Sequence, residues 1–279
     1  MSNKNTTVYH ASSIQEVQTI LKNIAGISLI GGCTEIARTQ TGTTLHLPEN
    51  ILALSRIPEL CIVNKTERYI EFGASVTLDT ILKLGKKNIP DVFFDAVNGI
   101  ANPGIRHMAT LGGNIAGKKQ HLSTFSPLLA LDAKLELRTP FEAAWIPFMR
   151  FFSNTKQAYS TEPSFISRIR IPTEVWDISV YRRIGPVGII SDITSSFVFL
   201  VKLQKNILAD IHIAWAGKYF FRKREYENLM IGRGLPFSER DIITLMDKAD
   251  LFLEKRLFPP SYERKCFLNL LEESLRMLM

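Results

Sequence analysis

The sequence lacks the features that mark membrane, secreted and metal-binding chains. Its 279 residues contain no apolar run near the roughly 18 residues that a membrane helix needs. Residues 1–9 carry no hydrophobic core of a secretion signal. The three cysteines, Cys33, Cys61 and Cys266, lie far apart without Cys-x-x-Cys spacing. We therefore expect a cytoplasmic chain with no membrane segment, no disulfide framework and no zinc or iron–sulfur site of its own.

A recognisable catalytic set is also missing. The five histidines show no ligand spacing, and no nucleophile–base pair or pair of carboxylates can be assigned. Cys33 is interpreted as a small packing residue rather than a nucleophile. We therefore predict no catalytic residue and no metal ligand on this chain.

The sequence has a net charge of +7, which raises the question of nucleic-acid binding. Its basic residues form small groups that are separated by acidic residues, without interleaved aromatic rings. The groups are Lys86-Lys87, Lys118-Lys119, Arg182-Arg183 and Arg222-Lys223-Arg224. We predict no nucleic-acid partner.

Local patterns predict alternating helices and strands. Helices are predicted to begin at Ser13, in a capping box with Glu16, and at Thr77, Ser238 and Ser261. Two more are predicted over residues 91–100 and 125–131, and Asn102-Pro103-Gly104 predicts a turn. Strands are predicted over residues 27–30, 70–76, 135–137 and 165–171. The pattern of residue types along the sequence changes near residue 173, where we place a domain boundary.

Two short glycine loops are the most informative feature. Gly31-Gly32 follows the strand predicted at residues 27–30, and Gly112-Gly113 lies between Thr110 and Asn114. Paired glycines permit positive φ and close approach to a ligand, and successive N–H groups can bind an anion. We infer a ligand with two phosphates.

Purely structural interpretations of these loops, without a ligand, stay open at this point. The first loop can be a tight strand-to-helix turn, and Asn114 can cap a following turn. The first loop lacks the Lys-Ser/Thr ending of a nucleotide-hydrolysing phosphate loop. It also departs from G-x-G-x-x-G, so a doubly wound dinucleotide fold is not indicated.

Over nearly its whole length the chain resembles the FAD-binding subunit of the molybdenum hydroxylases, the group of xanthine dehydrogenase and carbon monoxide dehydrogenase. The segments that carry the resemblance are residues 29–36, 54–60, 70–75, 105–114 and 127–133. It implies an α+β fold: a two-part FAD-binding domain of the PCMH type over residues 1–172, with lobes of about 1–56 and 57–172. A smaller C-terminal domain with an antiparallel sheet and helices, residues 173–279, would follow.

The resemblance also implies FAD as cofactor and assigns residues to it. The first loop would wrap the pyrophosphate and the adenosine side through Leu29, Ile30, Gly31, Gly32, Cys33, Thr34, Glu35 and Ile36. The second would take the other side of the pyrophosphate and approach the flavin through Thr110, Leu111, Gly112, Gly113 and Asn114. Backbone N–H groups of both loops are expected to neutralise the pyrophosphate.

Three further positions are compared with the family's pattern. Arg182, in Tyr181-Arg182-Arg183 and followed by Asp192-Ile193, is predicted near the flavin, with a solvated surface arginine as the alternative. Arg106 is expected to hold the second loop by an ion pair or hydrogen bond. An acid that many relatives carry after the second loop is missing from residues 117–123, where Lys118 and Lys119 stand instead.

The implied function is electron transfer within a larger enzyme. Such a subunit passes electrons from a small [2Fe-2S] subunit to an external acceptor such as NAD, while a large molybdenum-cofactor subunit hydroxylates the substrate. Residues 33–36 look closer to the xanthine dehydrogenase version of the loop, which favours purine substrates. Two alternatives stay open: another flavin oxidoreductase of the PCMH fold, and a non-catalytic protein of this fold that has lost FAD.

Overall fold

The computed structural model describes residues 6–40, 46–117, 123–153, 163–186, 189–191, 193–253 and 258–279. The strands are β1 Thr7–His10, β2 Ser28–Ile30, β3 Asn50–Ala53, β4 Val63–Lys65, β5 Tyr69–Gly73, β6 Lys134–Arg138, β7 Ala143–Pro147, β8 Phe165–Pro172, β9 Ile178–Ile184, β10 Ser195–Gln204, β11 Ile207–Ala216 and β12 Phe220–Phe221. The helices are α1 Ile14–Asn23, α2 Thr34–Arg38, α3 Leu78–Lys83, α4 Asp91–Asn98, α5 Pro103–Met108, α6 Leu111–Ala116, α7 Phe125–Ala130, α8 Phe148–Ser153, α9 Arg224–Glu227, α10 Glu239–Phe252 and α11 Tyr262–Arg276. Two short 3-10 helices cover Pro58–Leu60 and Lys86–Asn88.

The chain divides into two compact units. The first contains Met1–Gly85, Ala101–Gly117 and Asp132–Thr173, and the second contains Lys86–Ile100, Lys118–Leu131 and Glu174–Met279. The predicted domain bounds, 1–172 and 173–279, stay predictions. The grouping adds that two earlier segments of the chain, including α4 and α7, pack with the second unit.

The first unit holds two sheets, one parallel and one antiparallel. In the parallel sheet β3 lies between β1 and β2, and α1 connects the two outer strands. Its core contains Val17 and Leu21 of α1, packed with Leu52 of β3 and Ile57. The antiparallel sheet has the order β4-β5-β8-β6-β7, so the long strand β8 lies at its centre.

The second unit holds a four-stranded antiparallel sheet in the order β12-β11-β10-β9. α10 and α11 cover the apolar side of this sheet, where Phe267 and Leu271 of α11 pack with Phe197 and Trp215. Together with the helices and antiparallel strands of the first unit, this confirms the predicted α+β class.

Most helix starts are confirmed because their caps are local. Thr77, Ser238 and Ser261 each accept an N–H bond at the predicted helix start. Ser13 caps α1 as predicted, but its capping box is incomplete. The Glu16 carboxylate accepts from the N–H and hydroxyl of Ser12 rather than from the Ser13 N–H.

Two predicted loop segments are helical instead. Asn102 is the N-cap of α5 and Pro103 its first residue, so the predicted turn is a helix start. The second glycine loop forms α6, capped by Thr110. Among the described residues, no helix is both long and apolar enough to cross a lipid bilayer.

Candidate functional site

The first loop connects the end of β2 to α2 without using the conformational freedom of its glycines. The φ angles of Gly31 and Gly32 are not positive, and Cys33 takes the left-handed conformation, with φ 60°. The expectation that the glycine pair supplies positive φ is therefore wrong. Leu54 holds the strand end in place, since its N–H donates to the Ile30 carbonyl at 2.9 Å.

Close packing explains both glycines. A Cβ on Gly32 would lie 1.7 Å from the Met108 carbonyl oxygen, and a Cβ on Gly31 would lie 2.6 Å from the Thr110 hydroxyl. Met108 ends α5 and Thr110 caps α6. The two glycine loops therefore lie in direct contact, which the sequence did not show.

The first loop keeps its backbone donors available. Among the described residues, the N–H groups of residues 31–35 find no hydrogen-bond acceptor, and no side chain caps α2. The Thr34 hydroxyl is likewise unbonded within the described part of the chain. Several unbonded N–H groups in consecutive residues, with a hydroxyl among them, suit a phosphate oxygen.

The charged side chains of α2 are paired with each other. Glu35 binds Arg38 through two contacts, from Nε to Oε2 at 2.8 Å and from Nη2 to Oε1 at 2.6 Å. This hydrogen bonding raises the pKa of Arg38. The Glu35 carboxylate is thereby turned to its own helix, and its negative charge is compensated beside the open N–H groups.

The second loop has already used its donors within the chain. The N–H groups of Leu111 and Gly112 donate to the carbonyls of Val76 and Ala74 at 2.9 and 2.8 Å. The Gly113 N–H donates to the Thr110 hydroxyl at 3.1 Å, and the Asn114 N–H to the Thr110 carbonyl at 2.9 Å. The expectation that N–H groups of both loops neutralise a pyrophosphate therefore needs correction, because only the first loop has them open.

The paired glycines of the second loop have different surroundings. Gly112 is buried, and a Cβ there would lie 2.6 Å from the Ala74 Cβ. Gly113 is exposed, and among the described residues outside its own helix backbone its Cβ would meet only the Thr110 hydroxyl within 4 Å, at 2.8 Å. Gly113 therefore leaves bare backbone on the open side of α6.

Ser75 connects the supports of the two loops. Its hydroxyl donates to the Leu54 carbonyl at 3.0 Å and its N–H to the Leu60 carbonyl at 2.8 Å. Ala74, the preceding residue, accepts from Gly112. The sequence marked residues 54–60 and 70–75 as parts of a resemblance without giving them a role at the loops, and the structure gives them a positioning role.

The remaining predicted residues have separate outcomes. Leu29 and Ile30 lie in β2, with Ile30 buried, and Ile36 lies half-buried in α2. Arg106 donates to the Ala101 carbonyl at 3.1 Å, which lies ahead of α5 and not in the second loop, so its predicted role in holding that loop stays a prediction. Arg182 lies exposed on β9 in the second unit, where it donates to the Tyr181 carbonyl, so its flavin role stays a prediction. Asp192, Lys118 and Lys119 lie outside the described residues.

The model of one protein family matches residues 4–174, which span both loops and their supports. Its description is FAD binding domain in molybdopterin dehydrogenase. The chain belongs to this family. Its cofactor is FAD, as the resemblance implied.

Curated relatives agree with this membership. Xanthine dehydrogenase 2 of Arabidopsis thaliana is 24% identical over 252 residues, which are 83% of this chain and 18% of that protein. The xanthine dehydrogenase FAD-binding subunit of Escherichia coli O157:H7 is 30% identical over 84 residues, 29% of this chain and 28% of that subunit. The chain thus spans less than a fifth of the plant relative.

A solved structure shares the fold along the whole chain. A chain of carbon monoxide dehydrogenase from Hydrogenophaga pseudoflava superposes with a TM-score of 0.80 at 18% identity. The superposition covers 100% of this chain and 97% of that one.

The residues present at the two loops fit the pyrophosphate of FAD. Two phosphates need several hydrogen-bond donors and room for close approach. The donors are the open N–H groups of residues 31–35 and the Thr34 hydroxyl. The backbone at Gly113, which carries no side chain, gives the room. Within the described residues, no group of three or more potential metal-ligating side chains is found.

Proposed function

We propose that this chain is the electron-transfer component of a molybdenum hydroxylase. It receives electrons from the iron–sulfur clusters of a small [2Fe-2S] partner and delivers them to an external acceptor such as NAD. A large subunit with the molybdenum cofactor hydroxylates the substrate. The complex works in the cytoplasm. The observation that carries this proposal is the set of open N–H groups at residues 31–35, in a chain of the FAD-binding family.

FAD supplies the redox centre of this reaction, and the protein supplies binding, orientation and electrostatics. The first loop binds the pyrophosphate through the N–H groups of residues 31–35 and the Thr34 hydroxyl. Gly113 admits the cofactor close to α6, and Thr110 fixes the start of that helix. Ser75 links the segments that support the two loops, because its hydroxyl donates to the Leu54 carbonyl.

For the substrate we favour a purine such as xanthine. Residues 33–36 look closer to the xanthine dehydrogenase version of the loop, and two of the relatives named above are a xanthine dehydrogenase and a subunit of one. The first loop binds the cofactor and not the substrate. The argument for a purine therefore rests on the relatedness of the chain to xanthine dehydrogenases.

Purification of the tagged chain at native expression level, followed by cofactor analysis, tests the proposal. We expect the absorbance bands of oxidised flavin, one FAD per chain, and two companions: a small iron–sulfur protein and a large molybdenum protein. Anaerobic addition of xanthine should bleach the flavin bands. A chain that stays colourless after incubation with FAD contradicts the proposal, and a flavin complex that only non-purine substrates reduce contradicts the choice of substrate.

A further inference from the structure

One face of the five-stranded sheet carries cationic and aromatic side chains side by side. Because side chains alternate along a strand, the apolar residues of β5, β6 and β8 lie on the opposite face. The register places Lys134 opposite Arg170, and Glu136 opposite both Arg168 and Trp145. We name this region the cationic sheet face and define it by Tyr69, Lys134, Arg138, Trp145, Arg168 and Arg170.

The centre of the cationic sheet face is a stack of rings around an arginine. The guanidinium carbon of Arg170 lies 4.3 Å from the ring centroid of Tyr69 and 4.2 Å from that of Trp145. Arg168 lies 5.5 Å from the Trp145 centroid. Such contacts hold long side chains in one arrangement before any partner arrives.

The anions of this face lie beneath its cations. Glu71 and Glu136 are 6% and 4% exposed, whereas the side chains of Arg168 and Arg170 are 41% and 30% exposed. Arg168 binds Glu136 at 2.6 Å, and Arg170 lies 3.3 Å from Glu71. Burial disfavours ionisation of Glu136, but hydrogen bonds from Arg168 and Ser167 outweigh it and lower the pKa to about 2. Lys134 is exposed as well, so the charge that this face presents to solvent is positive.

We propose that the cationic sheet face docks an acidic protein surface of a partner subunit, with Arg170 and Trp145 at the centre of the contact. This inference rests on the proposed function, which requires partners. Tryptophan, tyrosine and arginine dominate the energetic centres of protein interfaces. Prearranged side chains lose less conformational entropy on binding, and a positive face selects a negative partner.

The ring contacts favour a protein over a nucleic acid. Single strands bind to sheets by stacking bases on open aromatic rings. Here the Arg170 guanidinium already lies against both Tyr69 and Trp145.

Zero-length cross-linking of the purified native complex tests both the surface and the chemistry of its partner. A carbodiimide joins a lysine amine only to a carboxylate in contact with it. We expect Lys134 to cross-link to an Asp or Glu of another subunit, and Lys265, exposed on α11, not to do so. Complexes in which Lys134 forms no link to another chain overturn the inference.

A charge reversal gives an independent readout. Lys134→Glu should reduce the partner recovered with the tagged chain about tenfold at low salt, because it places like charges together. Lys265→Glu serves as the matched control and should change recovery little. Equal recovery with both variants overturns the inference, as does loss of the partner after nuclease treatment, which would make the occupant a nucleic acid.

Flavin content separates this inference from the proposed function. A chain without FAD fails the proposed function whatever its partners. A chain with stoichiometric FAD whose companions do not depend on Lys134 keeps the FAD assignment and overturns the docking surface alone. In every variant a thermal melt of the tagged chain should match that of the original chain, since the Lys134 side chain is exposed and its backbone pairing in β6 is kept.

Discussion

The two glycine loops look alike in sequence but differ in whether their backbone N–H groups are available to a ligand. In the first loop, the N–H groups of residues 31–35 have no acceptor among the described residues. In the second, the N–H groups of residues 111–114 are all donated inside the chain. One loop therefore offers hydrogen bonds to a ligand, and the other offers a rigid support with room at Gly113. A Gly-Gly pair alone does not distinguish these roles.

The largest expected effect comes from Gly32, where contact between the loops is tightest. Gly32→Ala would place a Cβ 1.7 Å from the Met108 carbonyl oxygen, a backbone atom that cannot turn away. We expect a loss of at least about 3 kcal/mol in the free energy of unfolding, together with loss of FAD. Urea denaturation measures the first and absorbance the second. Gly234→Ala, whose new Cβ meets no atom within 4 Å in the described part of the chain, is the control. Equal midpoints for the two variants would show that the loops do not touch.

Gly113 should separate cofactor binding from folding. Gly113→Val adds bulk on the open side of α6, where among the described residues outside its own helix backbone the new Cβ lies within 4 Å of the Thr110 hydroxyl alone, at 2.8 Å. We expect flavin to be lost from the purified chain while its far-UV circular dichroism is kept. The same substitution at Gly234 should keep both. Stoichiometric flavin in Gly113→Val would remove the second loop from the cofactor site.

Thr34 offers a smaller test of the first loop. Thr34→Ala removes a hydroxyl that bonds to none of the described residues, so stability should change by less than about 0.5 kcal/mol. One lost hydrogen bond to a phosphate weakens FAD binding by about 1.5 to 3 kcal/mol, since the acceptor is charged. Fluorescence titration with FAD measures this change. Thr19→Ala, which removes an exposed hydroxyl on α1, is the control, and equal affinities would contradict the role of Thr34.

Glu35 should have the smallest effect. Its carboxylate is bound to Arg38 at 2.6 Å on an exposed helix, and such pairs contribute at most about 1 kcal/mol. Glu35→Gln should leave FAD content unchanged and shift the unfolding midpoint slightly. A complete loss of flavin in this variant would show that the carboxylate itself contacts the cofactor.

The sequence predicted what depends on neighbouring residues. Ser238 and Ser261 cap their helices because the side chain and the N–H it binds are three residues apart. The strand predicted over residues 165–171 from an apolar run with branched residues is β8, which runs one residue further, to Pro172. The resemblance indicated the family and its cofactor, since short motifs of similar spacing recur within a family. Its assignment of FAD to the two glycine loops stays a prediction.

What the sequence could not predict depends on residues distant along the chain. α6 forms in spite of two glycines because Thr110 caps it and Ala74 and Val76 accept its first N–H groups. The turn residues Asn102 and Pro103 begin α5, since an N-cap followed by proline has the same local chemistry as a turn. The contact between Gly32 and Met108 joins segments that no local pattern relates.

Amide hydrogen exchange with and without FAD tests the difference between the loops most directly. In the chain without FAD, the amides of residues 31–35 should exchange fast and those of residues 111–114 slowly, because only the latter are hydrogen-bonded. FAD should then protect residues 31–35 strongly and change residues 111–114 little. Slow exchange at residues 31–35 without cofactor, or protection by FAD confined to residues 111–114, would contradict the account.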